Sequence, residues 1–592
     1  MLSSFFEISL AKKHCLCYNE GNDYRKEDFT MYRQEHPKPQ FERADWQNLN
    51  GQWQFEIDHA ASGKAKGWQA PEKEFSMRIE VPFCPESKLS GIGHTDFMRA
   101  VWYKRNITVT KAQLSGIVRL HFGAVDYDTT VYVNGKQCGT HRGGYVSFFF
   151  DITPYLQEGE NVITVCAEDD TRDPLSPSGK QSMRYESHGC FYTRTTGIWQ
   201  TVWLEYLPQA HIEHVQYYPS PESVSLGITA SVAGKGALTV KAFYEGREVG
   251  SAETVCESGT VTLTLPLSEK HLWEVGKGRL YDLELSFGED KVKSYFGLRD
   301  VRMDGYKFLL NGKSVFQRLV LDQGFYPDGI YTAPSDDALR ADVERALAVG
   351  FNGARPHEKV FEERYFYHCD KLGYLVWGEY PNWGLDDGQK ESAYPLLCEW
   401  IEEMKRDFNH PSIIGWCPYN ETSVERYRPG LRTVYRTTKA LDPTRPCIDT
   451  SGYFHVETDI YDVHDYDQNP ESFKKRYDQL LNRGEYRDRH SHHQPYTVGM
   501  PFFVSEYGGI RWTDDQSGWG YGVAPLSKEE FLTRLKGLTD ALLQNPCILG
   551  YCYTQLTDVE QEQNGIYTYD RKEKFSAEQL YPIFSGKAAI EE

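Results

Sequence analysis

Two apolar stretches of this chain end in glutamate: IIGWCPYNE closes on Asn420 and Glu421, and FFVSEYGG carries Glu506. Such endings are unusual, because an ionised carboxylate is costly to remove from water. A salt bridge would explain either one alone. Two of them, at the ends of two apolar strands, point to paired acid–base chemistry. Across the mouth of a barrel such a pair suits glycosidic-bond hydrolysis. One carboxyl protonates the leaving oxygen, and the other attacks the anomeric carbon to form a covalent glycosyl intermediate. That retaining route needs the two groups about 5–5.5 Å apart.

Elements able to position such a pair are legible. After Arg299 the pattern alternates between apolar strands and amphipathic helices. Candidate strands lie near 313–321, 351–356, 374–379, 412–420, 446–451, 459–464, 502–506 and 549–555. Eight strands alternating with helices predict a (β/α)8 barrel, whose chemistry sits where the strands end. One helix is marked at both ends, with Ser335 as N-cap and Gly350 as C-terminal stop. Upstream the chain reads as β. Short alternating runs from about 46 to 207 include an Asn134-Gly135 hairpin signal, and further strands fill 208–299. The resulting division is 1–40 as an N-terminal extension, 41–207 and 208–299 as β-sandwiches, and 300–592 as the barrel. Met31 opens the more domain-like sequence, so translation is expected to begin there.

Composition narrows the partners. The net charge of −20 disfavours nucleic acid and anionic membranes, which need a basic face. No apolar run is long enough to span a bilayer. Aromatic residues make up 14% of the chain, which suits both sandwich cores and sugar-stacking surfaces. The 13 cysteines are scattered with no CxxC, as expected of free thiols in a reducing, cytoplasmic setting.

Several motifs together resemble glycoside hydrolase family 2. They are GIWQTVWLE (197–205), FNGARPHEKV (351–360), DKLGYLVWGE (370–379), HPSIIGWCPYNET (410–422) and FFVSEYGG (502–509). The resemblance covers roughly residues 40 to 570. It implies a jelly-roll sugar-binding-like domain, an immunoglobulin-like sandwich and a catalytic TIM barrel, in that order. It implies Glu421 as acid/base and Glu506 as nucleophile, with Asn420 on the sugar 2-hydroxyl and Arg355 beneath Glu506. Tyr466, or else His464, falls beside the nucleophile. His357, Asp322, Trp512 and Tyr553 are candidates to line the same pocket, with Trp377 and Glu379 weaker ones. Asp322 could equally cap a turn. The family needs no organic cofactor. Some members hold Mg²⁺ or Na⁺, but no ligands are identifiable here.

One departure bears on substrate. Glucuronidases of the family carry an N-x-K pair after the eighth strand, and here Glu562 and Asn564 fall there. A carboxylate at the pocket rim would repel a uronate. The expected substrate is therefore a neutral β-linked sugar, β-galactoside first. The alternative is a uronic-acid β-glycosidase clamped by Arg487, Arg489 or His490 from the Arg- and His-rich segment 483–496, and then an α-L-arabinosidase. That segment lacks the spacing of a zinc site. A non-catalytic carbohydrate-binding protein is disfavoured by the two intact glutamates. A homo-oligomer is compatible with the sequence.

Overall fold

A computed structural model of the protein describes residues 32–592, apart from 424, 483, 489–494, 515–517 and 592. The extension through Met31, the start expected there, and Arg489 and His490 lie outside the described residues. From Arg33 onward the expected extension is built into the fold. Arg33 is buried and its guanidinium donates to both oxygens of Glu362, at 2.9 and 2.6 Å.

The first sandwich packs a four-stranded sheet against a six-stranded one. Alternating apolar residues such as Trp53, Phe55, Val118, Leu120, Val131 and Ile163 fill the space between them. The Asn-Gly hairpin forms as expected. Asn134 and Gly135 take φ of 51° and 77°, and strands Asp128–Val133 and Lys136–Arg142 pair across them. The second sandwich has sheets of three and four strands, closed over Ile228, Val240, Leu283 and Phe287.

The barrel sheet holds seven parallel strands. In spatial order they are Ile413–Cys417, Leu375–Glu379, Gly353–Pro356, Gln317–Asp322, Ile548–Thr554, Phe502–Gly508 and Tyr461–Asp465. The expected strand at 446–451 forms no continuous ladder. It touches its neighbour by isolated parallel bridges, Trp416 to Cys447 and Asn420 to Ser451. The break has a physical reason: Asp442 caps the turn before it by accepting from Thr444, and Asp459 accepts the Cys447 N–H. Helix Asp336–Ala348 starts on the Ser335 side chain, and Gly350 follows its end at φ 105°. Its Leu339, Val343 and Ala346 are buried, as the spacing predicts. All strands run one way, so their C-terminal ends open on one face, where Arg355, Glu379, Asn420, Glu421, His464 and Glu506 gather.

Candidate active site

Glu506 sits on the sixth ladder strand, Phe502–Gly508, with its side chain only 6% exposed. Arg355, near the end of Gly353–Pro356, is fully buried beneath it. Arg355 Nη1 donates to Glu506 Oε1 at 2.8 Å, Nη2 donates to Asn420 Oδ1 at 2.8 Å, and Nε donates to Glu379. The Tyr466 hydroxyl donates to the other Glu506 oxygen. Burial alone would raise the pKa of Glu506. The cations of His464 and Arg355, with the Tyr466 hydrogen bond, overcome that and hold it well below the carboxylate range. Glu506 is therefore held in its ionised form and lines the pocket.

Glu421 follows strand Ile413–Cys417, at a φ of 53° that few non-glycine residues adopt. Such a conformation costs about 1–3 kcal/mol and persists only when its surroundings fix it. Two contacts do so here. The Glu421 N–H donates to the Ser451 carbonyl at 2.8 Å, and His464 Nδ1 lies 2.7 Å from Oε1. His464 Nε2 lies 3.4 Å from Glu506 Oε1. Burial lowers the pKa of this imidazole, but Glu506 and Glu421 more than offset that and leave it raised. One donor atom from each of Glu421, His464 and Glu506 lies within 4.8 Å of the others. Three such groups could ligate a metal, yet His464 Nδ1 is spent on Glu421, and Glu506 is held by Arg355 and Tyr466. The donor set fits acid–base work better than a metal.

The pocket holds about 440 Å³ and is lined by Lys180, Cys190, His357, Trp383, Asn420, Glu421, Tyr453, His464, Tyr466, Glu506, Tyr521 and Gly522. His357 Nδ1 lies 2.8 Å from Glu379. Burial, then Lys180 and Arg355, push its pKa well below the usual histidine value, so the ring is neutral and offers Nε2 as an acceptor. Tyr521 stacks on Tyr466 with ring centres 3.4 Å apart and planes 4° from parallel, which braces the hydroxyl that holds Glu506.

Six sequence candidates lie elsewhere. Asp322 is buried and accepts the Gly324 N–H at 2.9 Å, so it caps a turn outside the pocket. Tyr553 packs against Phe351, just before strand Gly353–Pro356, and Phe584 of helix Ala577–Phe584, and points away from the mouth, because alternate residues of a barrel strand face opposite sides. Trp512 packs on Phe531 and Phe575 beside a separate cavity of about 270 Å³. Trp377 donates to Gln317 Oε1 at 2.9 Å inside the barrel. Glu562 is the informative correction. It is 3% exposed and does not line the pocket. The Tyr192 hydroxyl donates to one of its oxygens and Asn564 Nδ2 donates to the other at 3.0 Å. Arg487 is exposed and also lies outside the lining.

Lys180, Cys190, Trp383, Tyr453 and Tyr521 were not anticipated. Trp383 follows the third barrel strand in GEYPNW, where a position just past a strand end was a usable signal. Lys180 and Cys190 belong to a loop of the first sandwich, and nothing local marked them.

An ionised carboxylate facing a second one across a barrel mouth, with two β-sandwiches ahead of the barrel in the chain, is the arrangement of a glycoside hydrolase. Three models of one family match in series: glycosyl hydrolases family 2, sugar binding domain, over 46–208, glycosyl hydrolases family 2 over 210–299, and glycosyl hydrolases family 2, TIM barrel domain, over 301–510. The chain belongs to glycosyl hydrolases family 2. A β-galactosidase of Thermoanaerobacter pseudethanolicus is 28% identical over 54% of this chain and 44% of its own length. A β-glucuronidase of Felis catus is 26% identical over 67% of each. The chain spans less than half the length of several curated relatives that it matches. A solved β-glucuronidase of Ruminococcus gnavus in complex with an N1-substituted uronic isofagomine has the same fold, with a TM-score of 0.78 and 18% identity, covering 93% of this chain and 99% of that one. No helix among the described residues is long and apolar enough to cross a membrane.

Proposed function

We propose that the protein is a retaining exo-β-glycosidase, with Glu506 as nucleophile and Glu421 as acid/base. The observation that carries this reading is the approach of the two carboxylates, whose nearest oxygens lie within 4.8 Å of each other. Inverting enzymes need room for a water between carboxyls about 6.5–9.5 Å apart, whereas retaining ones hold them at about 5–5.5 Å. In the first step Glu506 attacks the anomeric carbon as Glu421 protonates the departing oxygen. In the second, Glu421 takes a proton from a water whose oxygen bonds to the anomeric carbon, and the bond from that carbon to Glu506 breaks to free the sugar and the carboxylate. Arg355 accounts for Asn420 Oδ1, which leaves the Nδ2 donors for a sugar hydroxyl. The test is trapping with a 2-fluoro glycoside followed by peptide mapping. A label on any residue but Glu506 would sink the reading.

For the sugar, a β-uronide is favoured over a β-galactoside. Relatives named as β-glucuronidases and as β-galactosidases both support a β-glycosidase, and the former recur more often. The case for a neutral sugar rested on Glu562 at the rim. With both Glu562 oxygens engaged by Tyr192 and Asn564 outside the lining, that repulsion is largely withdrawn. The discriminating measurement is kcat/KM across p-nitrophenyl β-glucuronide, β-galacturonide, β-galactoside and β-glucoside, with α-L-arabinoside as a further arm.

A further inference from the structure

One cation enters the pocket from a domain that supplies none of its carboxylates. Lys180 lies on a loop of the first sandwich that is pinned to the barrel. The Ser178 and Gly179 N–H groups both donate to the Trp383 carbonyl, at 2.7 and 2.9 Å, and the Tyr192 N–H donates to the Lys180 carbonyl at 2.7 Å. Gly179 takes a φ of 54° with its Cα pressed on the Glu358 carbonyl, where a Cβ would come within 2.3 Å. The backbone that delivers Lys180 is thus closely fixed. Its side chain is only 6% exposed, and its ammonium lies 3.8 Å from the centre of the Trp383 ring.

Among the described residues no side chain makes an ion pair with Lys180 or accepts a hydrogen bond from it. Its acidic neighbours bond to other groups, although the second oxygen of Glu358 is buried without a hydrogen-bond partner. Glu562 is held by Tyr192 and Asn564, Glu421 is bonded to His464, and one oxygen of Glu358 accepts from the Trp383 N–H at 3.0 Å. A buried ammonium with unspent donors, in a cavity it shares with both reactive carboxylates, is costly unless an anion completes it. Burial lowers its pKa, but Cys190 and the glutamates around it more than offset that, so the charge is kept.

We propose that Lys180, seated on Trp383, binds the carboxylate of a uronic acid in the pocket and so sets the substrate class of the enzyme. The proposal rests on the glycosidase reading of the pocket. It places the charge reader on the sandwich domain in place of the strand-end N-x-K pair that this chain lacks. The Trp383 ring covers one side of the ammonium, which leaves its remaining donors for a ligand in the cavity.

The test compares wild type, Lys180→Met and Lys180→Arg on p-nitrophenyl β-D-glucuronide, β-D-galacturonide, β-D-glucoside and β-D-galactoside. Wild type is expected to prefer a uronide, and the two uronides decide which epimer fits. Loss of a charge-assisted hydrogen bond should lower the uronide-to-neutral ratio of kcat/KM roughly 10- to 100-fold in Lys180→Met, with partial recovery in Lys180→Arg. A neutral preference in wild type, or an unchanged ratio in Lys180→Met, overturns the proposal. A plain counter-ion role would depress all four substrates together and leave the ratio alone. Calorimetric binding of D-glucuronate, D-galacturonate and D-glucose to wild type gives a readout that needs no variant to fold. Tighter binding of a uronate than of glucose is expected, and equal binding contradicts the proposal. If no glycoside is turned over but uronate binding is present and lost in Lys180→Met, the anion site stands and the hydrolase reading falls. If neutral glycosides alone are turned over, the reverse holds.

Discussion

His464 stands between the two reactive glutamates, with Nδ1 2.7 Å from Glu421 Oε1 and Nε2 3.4 Å from Glu506 Oε1. Ser451 Oγ also lies 3.0 Å from Nε2, and Ser451 in turn donates to Asp462. One imidazole therefore ties together the two carboxylates proposed to act in a double displacement. It holds Glu421 in its φ-positive position from within the pocket lining.

That link predicts a pH signature. The pKa of His464 is raised in the folded protein, so its contribution to stability is fully present below the unfolded value of about 6.5 and is lost as pH rises through the higher folded value. His464→Gln should accordingly lower the urea midpoint most at mildly acidic pH, and the gap to wild type should narrow as pH rises. Chemical denaturation at several pH values checks this. A gap that widens with pH would contradict the raised pKa. Activity should fall roughly 10- to 100-fold in the same variant, since Glu421 loses its anchor.

Glu506→Ala removes the group that bonds to the sugar, and kcat should fall by more than about 10⁴-fold. The protein should stay folded, because Arg355 keeps Glu379 and Asn420 as partners. Initial rates with an activated aryl glycoside and a melting curve give the two readings. Residual activity within tenfold of wild type would remove Glu506 from the mechanism.

Glu421→Ala should cost about 10²–10⁴-fold for substrates with poor leaving groups and far less for activated aryl glycosides, which need little protonation. Azide should restore turnover and yield a β-glycosyl azide. An equal loss on both substrate types would argue against the acid/base role.

Tyr466→Phe should lower kcat roughly tenfold, because Glu506 loses one hydrogen bond of its ionised form. Tyr553→Phe should leave kcat/KM within about twofold, since the Tyr553 side chain packs in the barrel wall and does not line the pocket. Measured side by side, the two variants separate the strand-end tyrosine that faces the pocket from the one that does not.

Arg33→Ala should destabilise the fold by about 3–5 kcal/mol, because Glu362 would be left as a buried carboxylate without its partner. Thermal or urea unfolding monitors the loss. A change below about 1 kcal/mol would mean that the residues after Met31 add little to the fold.

The sequence by itself determined the three-domain plan and the two strand-end glutamates. Both follow from local rules: alternating runs and turn residues make the sandwiches, helical spacing marks the barrel, and a carboxylate closing an apolar strand must lie at its open end. Arg355, His357, Asn420 and Tyr466 were named through the motif resemblance, and each sits at or just past the end of a barrel strand. The tertiary structure alone decided which way the remaining residues face. Glu562 and Tyr553 share the barrel end with Glu506, yet a one-residue step along a strand, or a hydrogen bond to Tyr192, turns the side chain out of the pocket. Lys180 shows the stronger limit. Its loop belongs to another domain and reaches the barrel mouth only because Ser178 and Gly179 bond to the Trp383 carbonyl. Sequence spacing encodes contacts within an element, whereas a contact between domains is set by how two folded surfaces dock, and no local pattern records that.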